Sequence, residues 1–109
     1  MKYEIEIYVH ENGKQPFYEW VNKLKDSRVV AKIMVRLDRA ARGNFGDSKP
    51  IQGAKGLFEM REHVGAGYRI YYSIVDNKVV LILSGSDKKD QKKAIQQASD
   101  FLEIYERSN

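Results

Sequence analysis

Cysteine is absent from the 109 residues, which excludes disulfides, thiolate nucleophiles and cysteine-ligated zinc. Histidine is scarce. His10 and His63 are the only two, too few for a histidine-rich metal site. No apolar run approaches the roughly 20 residues that a membrane helix needs. The N-terminus, Met1-Lys2-Tyr3-Glu4-Ile5, lacks the apolar core of a signal peptide. Repeats, linkers and low-complexity segments are missing as well. The chain therefore reads as a cytosolic protein with no membrane helix and no evident metal site.

What is present suits one compact domain over residues 1–109. The hydrophobic fraction, 42%, is enough for one modest core but not for two. The formal net charge of +4 is a mild excess that favours an acidic partner, either nucleic acid or an acidic protein.

Periodicity divides the chain into elements. In residues 2–9, Tyr3, Ile5, Ile7 and Val9 alternate with Lys2, Glu4, Glu6 and Tyr8, which predicts a strand with one buried face. Glu11-Asn12-Gly13-Lys14 is a polar turn, and Pro16 suits the first position of a helix. Phe17, Trp20, Val21 and Leu24 form a helical stripe that places Trp20 in the core. Lys25-Asp26-Ser27 breaks it, and Asp26 or Ser27 can cap a second helix. That helix carries Val30, Ile33, Met34, Leu37 and Ala41 and stops at Gly43. Two helices joined so closely should form an antiparallel hairpin.

Residues 43–56 are rich in Gly, Asn, Asp, Ser and Pro and read as a loop. Strands are predicted at about 56–63, 67–75 and 78–84, with turns at Gly65-Ala66-Gly67 and Asp76-Asn77. Val79-Val80-Leu81-Ile82-Leu83 is apolar on both faces and belongs in the middle of a sheet. Gly85-Ser86 lets the chain turn sharply, and with Asp87 it caps a last helix from Lys88 to about Arg107. The predicted class is α+β: a small, mainly antiparallel sheet made of an N-terminal strand and a three-stranded meander, with an N-terminal helix hairpin on one face and a C-terminal helix. In that last helix Phe101, Leu102 and Tyr105 extend the apolar stripe, either onto the domain's own core or as a docking surface.

Alternation also sorts the polar groups. If Phe58, Met60, Ile70 and Tyr72 face the helices, then Glu59, Arg61, His63, Arg69 and Tyr71 share the opposite face. Such a set suits a nucleic acid. Arginine forks hold phosphates, and a tyrosine face can stack a base. Glu59 or His63 can take a proton from a 2′-hydroxyl or give one to a leaving oxygen. The bland alternative is a solvated sheet face with Glu–Arg pairs across strands. Lys88, Lys89 and Lys92 follow the last strand and could reach the same site. Cations near a helix N-terminus run against its dipole and ask for a reason. Arg28, Lys32, Arg36 and Arg39 recur on the second helix opposite its apolar stripe, either as a solvent face or as an electrostatic footprint on ribosomal RNA. His10 has no evident partner and reads as surface.

Several words in order resemble the RelE/ParE toxin superfamily, and more narrowly the HigB-like "addiction module killer protein" group. They are Phe17-Tyr18-Glu19-Trp20, Arg42-Gly43-Asn44-Phe45-Gly46-Asp47-Ser48-Lys49, Gly56-Leu57-Phe58-Glu59-Met60-Arg61, Gly65-Ala66-Gly67-Tyr68-Arg69-Ile70-Tyr71-Tyr72 and Leu83-Ser84-Gly85-Ser86-Asp87-Lys88 with Gln91. The resemblance implies a type II toxin, held in check by a cognate antitoxin and using no cofactor. RelE-like members cleave mRNA on the ribosome, whereas ParE-like members poison DNA gyrase. By position it implies catalytic roles for Arg61, Arg69 and Lys88 or Lys89. It also exposes a departure. Where RelE has a catalytic tyrosine in the last helix, this chain has Ala94 or Ile95, so a nuclease here would need Glu59, His63 or Tyr71 for acid–base work. The leading expectation is a ribosome-dependent mRNA endoribonuclease. The alternatives are a gyrase inhibitor and a degenerate toxin kept as a partner-binding module.

Overall fold

The computed structural model describes residues 2–108. Strand β1 (Glu4–Ile7) is followed by helices α1 (Pro16–Lys23) and α2 (Ser27–Ala41), a short strand β2 (Ser48–Pro50), strands β3 (Phe58–Glu62), β4 (Tyr68–Val75) and β5 (Val79–Asp87), and helix α3 (Gln91–Ser108). The sheet runs β1-β5-β4-β3-β2. β1 pairs with β5 in parallel, and the other neighbours are antiparallel. The α+β class, the meander and the place of β5 agree with expectation. β2 does not, because the segment read as loop carries a fifth strand. It is only three residues long and ends in Pro50, which an edge strand tolerates because one side of it needs no partner.

Local chemistry starts and stops these elements. Pro16 opens α1. The Asp26 carboxylate accepts from Arg28 N–H at 2.9 Å and caps α2. The β4–β5 hairpin turns through Asp76 and Asn77, both with positive φ (53° and 56°), as a two-residue turn of primed type requires. β5 runs three residues beyond its predicted end. A bulge lies between the Tyr71–Ser84 and Tyr72–Ile82 pairs and shifts the register there. Gly85 is therefore mid-strand rather than a turn. It is glycine because a Cβ there would lie 2.2 Å from the Trp20 ring. The chain turns only after Asp87, whose carboxylate accepts from Asp90 N–H at 2.9 Å. Lys88 and Lys89 thus precede α3 instead of opening it, and the dipole argument no longer applies to them.

The sheet is covered on both faces, which corrects the expectation of one core. On one side Phe17 and Val21 of α1 and Val29, Ile33, Leu37 and Ala40 of α2 pack on Met60, Ile70, Tyr72, Val80 and Ile82. On the other, Ala94, Ala98 and Leu102 of α3 pack on Leu57, Tyr71, Leu81 and Leu83. The two-sided hydrophobicity of β5 is what allows three layers. Tyr8 joins the α3 side and stacks on Phe101 at 5.0 Å between ring centroids, while Val9 is exposed. Tyr8 keeps the alternation, opposite Ile7, and its N–H still donates to Ile82 O at 2.9 Å; it is buried because α3 covers the face that was read as solvent, whereas Val9 lies beyond the end of β1. The stripe at Phe101, Leu102 and Tyr105 packs on the domain itself. Trp20 is half-buried against the α1–α2 core. His10 has a partner after all, with its Nδ1 2.8 Å from the Tyr8 hydroxyl. Among the described residues, no helix is long and apolar enough to cross a membrane.

Candidate nucleic-acid interface

Register places the polar residues of the α3-side face in two rows. One row runs Lys49, Glu59, Tyr71, Ser84 across β2 to β5. The next runs Asp47, Arg61, Arg69, Ser86, with Asp47 held beside Arg61 by the bond from Arg61 N–H to Asp47 O at 2.8 Å. α3 packs over the first row at Tyr71. The second row lies nearer the end of the sheet, and His63 continues the face one step beyond Arg61.

The two rows behave differently because they are covered differently. Tyr71 is fully buried, at 0% exposure. Its hydroxyl lies 2.9 Å from Ser86 Oγ, and burial pushes its pKa up to about 12 against the opposing effect of that hydrogen bond. The expectation that Tyr71 stacks a base is corrected, because its ring is covered by α3. Glu59 is 2% exposed and pairs with Arg69, with Oε2 3.2 Å from Nε. Lys49 Nζ stands 4.0 Å from its other oxygen. The Glu59–Arg69 contact is an ion pair by distance but lacks the alignment of a hydrogen bond. Glu59 therefore sits inside the protein as the counter-charge of Arg69 and is not placed to meet substrate.

The second row is covered only in part: the side chains of Asp47 and Arg61 are 39% and 29% exposed, that of Arg69 is 14% exposed, and Ser86 is buried. Arg61 and Arg69 are direct cross-strand partners, an arrangement of like charges that is unfavourable unless anions attend them. Glu59 attends Arg69. Asp47 attends Arg61, with Oδ1 2.8 Å from Nη2 and 3.2 Å from Nε. The other oxygen of Asp47 lies 2.5 Å from His63 Nε2. These hydrogen bonds, that of His63 first and those of Arg61 second, hold the Asp47 carboxyl at about 2, below its ordinary 3.8. The same contact raises the Arg61 guanidinium. An ionised Asp47 can only accept, so Nε2 carries the proton. The neutral imidazole then offers Nδ1 as its basic nitrogen. His63 is 71% exposed at the side chain, with no bond to Nδ1 among the described residues.

The remaining expected site residues are dispersed. Lys88 is exposed at the same end of the sheet, where its N–H donates to Gly67 O at 3.2 Å beside the β3–β4 turn. Lys89 and Lys92 are exposed, and no ion pair holds either of them among the described residues. Arg39 is exposed on α2, a helix that packs on the opposite face of the sheet, so it does not join the cluster. Arg36 is not on a solvent face, as the spacing of basic residues suggested. It is 7% exposed and spends its guanidinium on backbone carbonyls. It sits at the margin of the buried stripe, where helical periodicity does not distinguish in from out.

Asp47 and Lys49 are the site residues that sequence reasoning missed. Asp47 stood only as a letter in one of the family-like words. Its role depends on β2, which is too short to show a period.

A three-layer α+β domain with a basic row at one end of its sheet defines the class, and its fold is that of RelE. The chain aligns with a double arginine-to-alanine mutant of the Escherichia coli toxin RelE in the free state at a TM-score of 0.64, with 19% identity, covering 91% of this chain and 95% of that one. Residues 19–102 match the family described as phage derived protein Gp49-like (DUF891), and the chain belongs to that family. An uncharacterised protein of Haemophilus influenzae is 44% identical over 82 residues, spanning 75% of this chain and 81% of its own length.

Proposed function

We propose that the protein is the toxin of a type II toxin–antitoxin module, acting as a metal-independent endoribonuclease on mRNA at the ribosome and neutralised by a cognate antitoxin. The observation that carries this reading is the Asp47–His63 pair set beside Arg61 and Arg69. In the reaction, His63 Nδ1 removes the proton from a ribose 2′-hydroxyl. The 2′-oxygen bonds to phosphorus, the bond to the 5′-oxygen breaks, and that oxygen takes a proton from solvent, leaving a cyclic phosphate. Arg61 and Arg69 neutralise the charge that develops on the phosphoryl oxygens, with Lys88 supporting from the strand end. Asp47 keeps His63 in the tautomer that presents Nδ1. This pair answers the missing tyrosine, since α3 turns Ala94 and Ile95 toward the sheet core. The antitoxin is expected to be acidic, complementing the net charge of +4.

The test is a translation reaction with the purified protein, in which mRNA 5′ ends are mapped with and without ribosomes. Cuts inside codons, seen only on translating ribosomes and abolished by His63→Ala and Arg61→Ala, are expected. Intact mRNA with unimpaired translation would overturn the nuclease reading. Loss of gyrase supercoiling in the same preparation would then favour the gyrase alternative, to which the absent tyrosine of α3 also points.

A further inference from the structure

We propose that Arg36 is the positioning residue of the Asp47–Arg61–His63 cluster, a clamp reaching from α2 to set the distance between the 45–47 loop and β3. The proposal rests on the reading above only for its activity limb.

Buried arginines ordinarily answer carboxylates. Arg36 does so weakly, with Nη1 4.0 Å from Glu62 Oε1. Its short contacts are to main-chain oxygens. Nη1 donates to Arg61 O at 2.5 Å, and Nη2 donates to Phe45 O at 2.9 Å and to Asp47 O at 3.4 Å. Two of those three carbonyls belong to residues of the cluster itself, and the third is two residues away. The guanidinium fork thus holds the backbone on either side of the Arg61–Asp47 contact, and only a planar multi-donor group can do so.

Neighbouring residues make room for it and brace it. Gly46 lies between two clamped residues at φ +60°, and a Cβ there would come within 3.1 Å of Arg36 Nη2. A side chain would force the fork to give by a few tenths of an ångström and would strain the backbone at that φ. A second brace fixes the next position. Ser48 Oγ donates to Glu59 O at 2.8 Å and lies 2.6 Å from the Tyr72 hydroxyl, which must then donate to it. Asp47 is therefore pinned from below by Arg36 and from the side by Ser48, while its own carboxylate stays on the surface. Ordering the loop in this way is what lets an exposed carboxylate keep two partners at once.

Arg36→Lys is the decisive variant because it keeps the charge and loses the fork. The readouts are the ¹³C signal of the Asp47 carboxyl and the ¹⁵N signals of the His63 ring. Near pH 3.8 a released carboxyl is half protonated, whereas one held at about 2 stays charged. The expected result is that Asp47 in Arg36→Lys titrates toward 3.8 and His63 loses its single Nε2–H tautomer. Val29→Ala on the same helix is the control. Val29 is 4% exposed in the α1–α2 core, so that variant should lower the melting temperature and leave both signals in place. RNA cleavage by Arg36→Lys should fall roughly 10–100-fold in kcat with little change in KM, as a displaced acid–base group implies. An unmoved Asp47 in folded Arg36→Lys overturns the proposal. So does an equal movement in Val29→Ala. Should Arg36→Lys fail to fold, Gly46→Ala crowds the same fork from the other side, and the same two signals decide. If the wild-type protein cuts no RNA, the nuclease reading falls and the NMR comparison still stands.

Discussion

Removing Arg69 should damage the fold as well as any activity, and the reason is Glu59. The Glu59 side chain is 3% exposed and that of Arg69 is 14% exposed. Arg69→Met keeps most of the buried stem but strands a carboxylate in the interior. Breaking one side of a buried pair typically costs about 3–5 kcal/mol. Lys49, half exposed and 4.0 Å from the other oxygen, supplies partial compensation, so the lower end, about 3 kcal/mol, applies. At roughly 4–8 °C per kcal/mol for a domain of this size, the melting temperature should drop by roughly 12–24 °C. Glu59→Leu together with Arg69→Met removes both charges and should return to within about 1 kcal/mol of wild type. Urea and thermal unfolding of the two single variants and the double variant read the coupling directly. A single Arg69→Met protein as stable as wild type would refute the reasoning. Glu59 would then be solvated, and its candidacy as a proton-transfer group would reopen.

Three further outcomes follow from particular contacts. Gly85→Ala drives a methyl into Trp20 and should destabilise by about 1–3 kcal/mol; the loss should shrink in a Trp20→Leu background, and equal losses in both backgrounds would show that the indole is not the obstacle. The Asp47 carboxyl is lowered in the folded state, to about 2 from 3.8. Its stabilising effect is therefore present above about pH 4 and lost as pH falls through about 2. The melting-temperature difference between wild type and Asp47→Asn should accordingly shrink between pH 5 and pH 2, and a constant difference would contradict the assignment. Tyr71→Phe removes a hydroxyl whose bond to Ser86 is worth about 1 kcal/mol. With the phenol pushed up to about 12, no alkaline limb of a cleavage profile below pH 10 should change in that variant, and a changed limb would return Tyr71 to the chemistry.

Alternation along β3 and β4 identified which residues share a face, and register confirms it for Glu59, Arg61, Arg69 and Tyr71. What alternation cannot convey is coverage. A face read as solvent is half roofed by α3, because the apolar stripe of that helix needs Leu57, Tyr71, Leu81 and Leu83 beneath it. The roof thins beyond Tyr71, so Asp47 and Arg61 meet solvent while Tyr71 and Glu59 do not. Arg36 shows the same limit on a helix. Its spacing matched the exposed basic residues, but it lies at the edge of the buried stripe, where three main-chain carbonyls hold it more closely than its distant charge partner Glu62. Asp47 was illegible for a different reason, since its role arises from a three-residue strand that ends in proline.

The two arginines of the row are held by unlike counter-charges. Glu59 is interior and cannot leave Arg69, so it fixes that guanidinium in place and keeps part of its charge permanently answered. Asp47 is on the surface and shares its carboxylate between Arg61 and His63. An incoming phosphate can displace it from Arg61 at little desolvation cost, since both groups already meet water. Under the proposed reading Arg61 is thus the exchangeable arm that captures the phosphate, and Arg69 is the fixed one that receives it in register. Once released by Arg61, the Asp47 carboxylate has only His63 to serve. Capture of the anion would then strengthen the hydrogen bond that orients the base, coupling substrate binding to proton transfer through one carboxylate.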